Sequence, residues 1–197
     1  MDILCLDLEG VLVPEIWQAV AKSTSINELN KTTRDIPDYD ELMSYRLEIV
    51  DRHDISLEQI QFEIARLKPL EGAVDFLEWA RSEFQVFIVS DTFYDFARPL
   101  MRQLGNPSLF CHRLVIENGK IVGYRLRQSD PKRKTVEALR SLNYRVVAAG
   151  DSFNDLSMLK AADSGFFYRA SPNVLELHPE FPLANSYDEL RNLICSS

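Results

Sequence analysis

The chain has little of what marks a secreted or membrane-bound protein. Cysteine is scarce: Cys5, Cys111 and Cys195 are an odd set of three in 197 residues, with no CxxC pair. Such a set builds neither a disulfide framework nor a thiolate zinc site. His53, His112 and His178 show no ligand spacing and read as structural or surface residues. The N-terminus, Met1-Asp2-Ile3-Leu4-Cys5-Leu6-Asp7, meets acid at once and lacks the basic start of a signal peptide. No apolar run approaches the ~18 residues of a membrane span. Positive charge is in deficit, with 22 Lys plus Arg against 30 Asp plus Glu and a formal charge of −8. That balance argues against nucleic acid or an anionic membrane as partner, because phosphate surfaces need a cationic face. Internal repeats and low-complexity tracts are also lacking. A reducing cytoplasm is the expected location.

What is there suits an α/β protein. With 46% hydrophobic and 26% charged residues, the chain can bury one sizeable core, with or without an insertion. Short apolar runs alternate with helical patterns, which predicts a mostly parallel sheet covered on both faces. The runs are Ile3 to Leu8, Val86 to Val89, Val146 to Ala149 and Gly165 to Tyr168. Leu114 to Leu126 alternates around Asn118-Gly119, a hairpin signal. Helices are expected over Gly72 to Ser82, with Val74, Leu77 and Ala80 on one face. Others are expected from Asp130-Pro131 through Leu142 and over Ser152 to Ala162. The stretch 15–69 has no convincing strand. Asp38 starts one helix there, and Ser56 with Gln59 forms a capping box ahead of another, which Pro69 ends. A helical insert of 15–69 over a core of 1–14 and 70–197 would lie above the strand ends as a lid.

Three strands run into polar residues at their carboxyl ends, where open α/β sheets bind ligands. Asp7 and Glu9 close the first; two acids can divide labour, one ionised and one exchanging a proton. Ser90 and Asp91 close the second, where a hydroxyl and backbone amides suit a phosphoryl oxygen or a plain helix cap. Gly150-Asp151-Ser152-Phe153-Asn154-Asp155 follows the third. Carboxylates gathered in one crevice repel unless a hard cation neutralises them, and Mg²⁺ fits. Lys132, in the first turn of its helix, opposes the macrodipole unless an anion lies nearby, so it is the candidate phosphate ligand. Arg46 falls on the apolar stripe of Leu42, Tyr45 and Ile49. It either snorkels to water or grips a carboxylate in a covered pocket. In the second case Glu15 could receive an ammonium, and the pair would read an amino-acid headgroup.

These residues resemble the haloacid dehalogenase superfamily of aspartyl-phosphate phosphatases. DLEGVL is similar to its first motif, Ser90 after VFIV to the second, Lys132 to the third and GDSFND to the fourth. The helical insert resembles a C1-type cap on a Rossmann-like core. Within the superfamily the chain resembles phosphoserine phosphatases, and among them the subgroup that also transfers phosphate to homoserine. The matching stretches are DLEGVLVPEIW, TTRDIPDYD, LKPLEGAV, SDTFY, PLMRQLG and DPKR. The superfamily's second acid is usually Asp; here it is Glu9, as in that subgroup. The resemblance implies Asp7 as nucleophile and Glu9 as general acid and base. It implies Mg²⁺ on Asp7, residue 9 and Asp151, and the phosphoryl group on Ser90 and Lys132. Asn154 and Asp155 would position the fourth loop, with Asn154 and Asp91 at the substrate, and Glu15 and Arg46 would hold its headgroup. The expected substrates are phosphoserine and homoserine. Another small phosphomonoester is the alternative. A receiver-type signalling domain is disfavoured, since it has no helical lid and does not carry its acceptor on the first strand.

Overall fold

The computed structural model describes residues 2–33, 35–36 and 38–197. Positions 34 and 37 of the TTRDIPDYD stretch, and Met1, lie outside the described residues. Among the described residues, seven strands form one sheet in the order β4-β3-β2-β1-β5-β6-β7. They are β1 (Asp2–Leu6), β2 (Gln85–Phe93), β3 (Ser108–Glu117), β4 (Lys120–Arg125), β5 (Arg145–Gly150), β6 (Ser164–Tyr168) and β7 (Leu183–Ala184). Every neighbouring pair is parallel except the β3–β4 hairpin, whose turn residues Asn118 and Gly119 both take positive φ, the geometry of a tight two-residue turn.

The central strands are apolar on both sides because both faces are covered. Along β1, Leu4 and Leu6 enter one core cluster and Ile3 and Cys5 the other, following the two-residue period of a strand. The first cluster takes in α4 (Ala73–Glu83), α5 (Tyr94–Gln103) and α9 (Tyr187–Cys195); the second takes in α6 (Pro131–Ser141), α7 (Leu156–Ala161) and α8 (Pro172–Leu177). Among the described residues, no helix is long and apolar enough to cross a membrane.

Between β1 and α4 the chain makes a helical excursion through α1 (Ile16–Thr24), α2 (Tyr39–Arg52) and α3 (Leu57–Arg66). Asp38 caps α2 by accepting the Glu41 amide, and the Ser56–Gln59 capping box opens α3, as their spacing predicts. The excursion returns to its origin where the Leu70 amide donates to the Leu12 carbonyl at 2.9 Å. Its helices rest on the strand-end side of the sheet: Tyr39 Oη donates to the Asp91 carbonyl at 2.8 Å and Gln61 Nε2 to the Asp95 carbonyl at 2.8 Å.

Several details differ from expectation. Strand β1 stops at Leu6, although the Asp7 amide continues the ladder by donating to Ala149 O at 3.0 Å. Strand β2 runs on to Phe93 with a register irregularity after Val89, so Ser90 and Asp91 occupy a distorted strand end, not a helix cap. On α4, Val74 is exposed and Ala73 and Phe76 join Leu77 and Ala80 on the buried face. The expected helix 152–162 breaks into a 3-10 turn, Phe153–Asp155, and then α7. Asp130 does not cap α6 with its side chain; its φ is positive, and its carboxylate takes Ser157 Oγ and pairs with Arg133 instead. Helices α5, α8 and α9 and the two-residue β7 lack a strong enough pattern to be anticipated.

Candidate active site

The site is built by three adjacent strands. β2, β1 and β5 lie side by side, so their carboxyl ends deliver Ser90-Asp91, Asp7 and Asp151 to one crevice. Lys132 enters from the first turn of α6. It is 2% exposed, and its Nζ lies 2.6 Å from Asp155 Oδ1, 3.0 Å from Asp7 Oδ1 and 3.7 Å from Asp91 Oδ2. Burial opposes its charge, but Asp155, Asp7 and Asp91 outweigh burial and lift its pKa well above the ordinary lysine value. The macrodipole penalty at a helix start is thus offset by side chains of the protein itself.

The carboxylates are less well compensated. Burial, then Asp155, push the Asp7 pKa well up, and Lys132 only partly opposes them. Asp7 Oδ1 is buried and meets the Lys132 ammonium at 3.0 Å. Burial, with Asp155 and Glu15, raises Asp151 to about 7. Asp7, Asp151 and Asp155 each offer an oxygen within 4.8 Å of the others. An all-oxygen set that resists its own ionisation suits a hard divalent cation such as Mg²⁺.

Asp155 therefore does more than position its loop. Fully buried, it accepts the amides of Asp151 at 2.9 Å and Ser152 at 3.1 Å on Oδ2 while its other oxygen binds Lys132. Two glycines leave it and Asp151 room. A Cβ on Gly150 would lie 2.3 Å from Asp155 Cγ; one on Gly10, whose φ is +78°, would lie 2.5 Å from Asp151 Cγ.

The Glu9 side chain does not join these three carboxylates. Its Oε2 accepts the first helical amide of α1, Ile16 N, at 2.8 Å. Burial raises its pKa against the pull of that amide and of Arg46. An acid held this way retains its proton longer than a solvated one, which suits proton exchange.

Arg46 is buried, as the carboxylate-gripping alternative requires. Its guanidinium lies over the Trp17 ring, 5.0 Å from the centroid, and Nη2 donates to the Lys31 carbonyl at 2.8 Å. Its Nε has no partner. Burial lowers its pKa against Glu9, Tyr39 and Glu15, which places those groups around it. Glu15 stands half-buried at the start of α1, near both Arg46 and Asp151.

Ser90 is buried, with Oγ accepting the Thr92 amide at 3.3 Å. Asp91 and Asn154 are joined by a 3.2 Å hydrogen bond from Asn154 Nδ2 to Asp91 Oδ2, and Ser152 Oγ donates to Asn154 Oδ1. Burial works against Asp91, yet Lys132, His112 and Asn154 hold its pKa down at about 2. Tyr39 carries no functional signal in the sequence, and His112, which reads there as a structural or surface residue, is buried beside Asp91. The signal for His112 is slight: it falls two residues before Leu114 on the covered face of β3.

A model of haloacid dehalogenase-like hydrolases matches residues 1–163. The phosphoserine phosphatase ThrH of Pseudomonas aeruginosa is 58% identical over 97% of this chain and 94% of its own. A phosphoserine phosphatase of Pseudomonas syringae pv. tomato is 57% identical over 97% of this chain and 81% of its own. Among solved structures, a substrate-bound phosphoserine phosphatase complex superposes with a TM-score of 0.81, covering 99% of this chain and 97% of that one, at 20% identity. Sheet order, strand-end chemistry and these likenesses agree, and the chain belongs to the haloacid dehalogenase-like hydrolases.

Proposed function

We propose that the protein is a Mg²⁺-dependent phosphoserine phosphatase acting through an aspartyl phosphate, able also to pass the phosphoryl group to homoserine. The observation that carries this reading is the buried Lys132 drawn against Asp7, Asp155 and Asp91 at the carboxyl ends of three adjacent strands. Its relatives at 58% and 57% identity bear the phosphoserine phosphatase name.

In this reading Asp7 attacks phosphorus in line. The bond from phosphorus to the serine oxygen breaks as an aspartyl phosphate forms. Glu9 gives its proton to the departing oxygen and later takes one from the incoming water or alcohol, which returns Asp7 as a free carboxylate. Ser90 and Lys132 hold phosphoryl oxygens. Asp7, Asp151 and Asp155 would hold Mg²⁺, which when bound offsets charge on the phosphoryl group. The Glu9 carboxylate, bound to the Ile16 amide, is assigned to proton transfer, which leaves residue 9 its main-chain carbonyl to offer the metal. Arg46 and Glu15 receive the carboxylate and ammonium of the substrate, with Asp91 and Asn154 bounding its other side. Residues 15–69 act as a helical cap on a core of 1–14 and 70–197. Homoserine carries the same headgroup as serine, so it can occupy the vacated place before water attacks.

The test is incubation with phosphoserine, Mg²⁺ and homoserine, with inorganic phosphate measured against O-phosphohomoserine. Phosphate release that needs Mg²⁺, and falls as O-phosphohomoserine appears, is the expected result. Hydrolysis of other small phosphomonoesters but not phosphoserine would overturn the substrate assignment.

A further inference from the structure

His112 is a buried polar side chain beside the site that the chemistry above does not use. It is 2% exposed, on β3, with its ring packed against Tyr39 and Phe93. Its Nδ1 accepts the Arg127 amide at 3.1 Å. A nitrogen that accepts an N–H carries no proton, so this hydrogen bond assigns the ring proton to Nε2. Nε2 lies 3.6 Å from Asp91 Oδ1. That exceeds a hydrogen bond, but it sets the positive end of an N–H dipole before one carboxylate oxygen. The other oxygen, Oδ2, accepts Asn154 Nδ2 at 3.2 Å and lies 3.7 Å from Lys132 Nζ.

The two oxygens of Asp91 thus have different neighbours. The terminal torsion of an aspartate is broad, so nothing in Asp91 itself keeps the plane of its carboxylate fixed. Tyr39 holds only the main chain, through the Asp91 carbonyl.

We propose that His112 is a positioning residue that acts through Asp91: its Nε2–H sets the Asp91 carboxylate so that Oδ2 faces Lys132 and Asn154. The phosphate-binding ammonium and the fourth loop are then held from one side by one oriented acid. The proposal rests on the phosphatase reading and names a further residue for it.

Paired substitutions separate the two nitrogens. Glutamine can place a donor amide where Nε2 stood, and asparagine can place an acceptor where Nδ1 stood; because asparagine also leaves the larger gap, His112→Leu, which has no donor, is the packing control and should lose activity as His112→Asn does, whereas a His112→Leu as active as His112→Gln would overturn the proposal. His112→Gln is expected to keep kcat within about threefold of wild type, and His112→Asn to lose about tenfold or more, the usual cost of removing a group that orients a site residue. Assays with phosphoserine and with p-nitrophenyl phosphate should agree. If the wild type hydrolyses only the latter, the phosphoserine reading fails while the His112 comparison still stands. Equal losses in both variants, or a spared His112→Asn, would overturn the proposal in favour of a packing role. A long-range ¹H–¹⁵N spectrum of the ring gives a readout without turnover. It should show the proton on Nε2 and a shift of that resonance in Asp91→Asn; a proton on Nδ1, or no response, would overturn it as well.

Discussion

Two buried cations of the crevice, Lys132 and Arg46, are used in opposite ways. Lys132 is drawn against three carboxylates, and its pKa is raised well above normal. Arg46 donates to one main-chain carbonyl, lies over an aromatic ring, keeps its Nε unpaired and has its pKa lowered. A buried charge that is already paired is part of the folded structure, whereas one left partly unpaired is ready for a ligand. Lys132 belongs to the strand ends of the core, Arg46 to α2 of the helical excursion. In the reading proposed above, the core fixes the phosphoryl geometry and the excursion selects what is attached to it.

Four substitutions would break or sharpen that contrast. The largest effect is expected from Asp7→Asn, which should cut phosphate release by at least about 10³-fold while thermal unfolding stays at or above the wild-type temperature, since repulsion with Asp151 and Asp155 is relieved. Unchanged turnover would remove Asp7 as nucleophile. Lys132→Met comes next. It strands Asp155 and Asp7 without their cation and should cost about 3–5 kcal/mol in urea unfolding. A loss below about 1 kcal/mol would mean that Lys132 does not hold the acids together. Arg46→Met keeps most of the packing over Trp17. It should raise KM for phosphoserine about 10- to 100-fold, the worth of one charged hydrogen bond, and leave KM for p-nitrophenyl phosphate nearly unchanged. Equal increases on both substrates would erase the contrast between the two cations. The smallest effect on turnover is expected from Gly10→Ala. It forces a left-handed backbone on alanine at a cost of about 1–2 kcal/mol and displaces the Asp151 carboxylate. Titration of Mg²⁺ followed by calorimetry should show weaker binding, and wild-type affinity would mean that Asp151 can move without consequence.

The core was more legible than the site. Ile3 to Leu8, Val146 to Ala149 and Gly165 to Tyr168 read as strands because burial on both faces leaves apolar runs, and the Ser56–Gln59 capping box and the Asn118-Gly119 turn marked their elements for local reasons. The end of β2 did not read as strand, because Ser90, Asp91 and Thr92 are polar and fall in the irregularity between Val89 and Phe93, where pairing with β3 is interrupted. Val74 misled because helical spacing fixes relative angle, not which side meets the sheet. At the site, residue types and order sufficed to gather Asp7, Asp91, Lys132 and Asp151. Asp155 was legible too, because the GDSFND loop carries a second acid toward Asp7, and it completes the acidic trio. Sequence could not show that the Glu9 carboxylate turns toward α1, which depends on a tight loop, and His112 reaches Asp91 only through sheet pairing.

That tight loop has a consequence of its own. From Glu9 to Ile16 the backbone is wound on itself: Leu12 and Val13 both donate to Leu8 O, Gly10 donates to Val13 O, and the Glu9 side chain closes the span on Ile16 N. The segment works as a ruler. One inserted residue, of any kind, would part the acid from its amide, so the length of this joint, more than its composition, sets the specification.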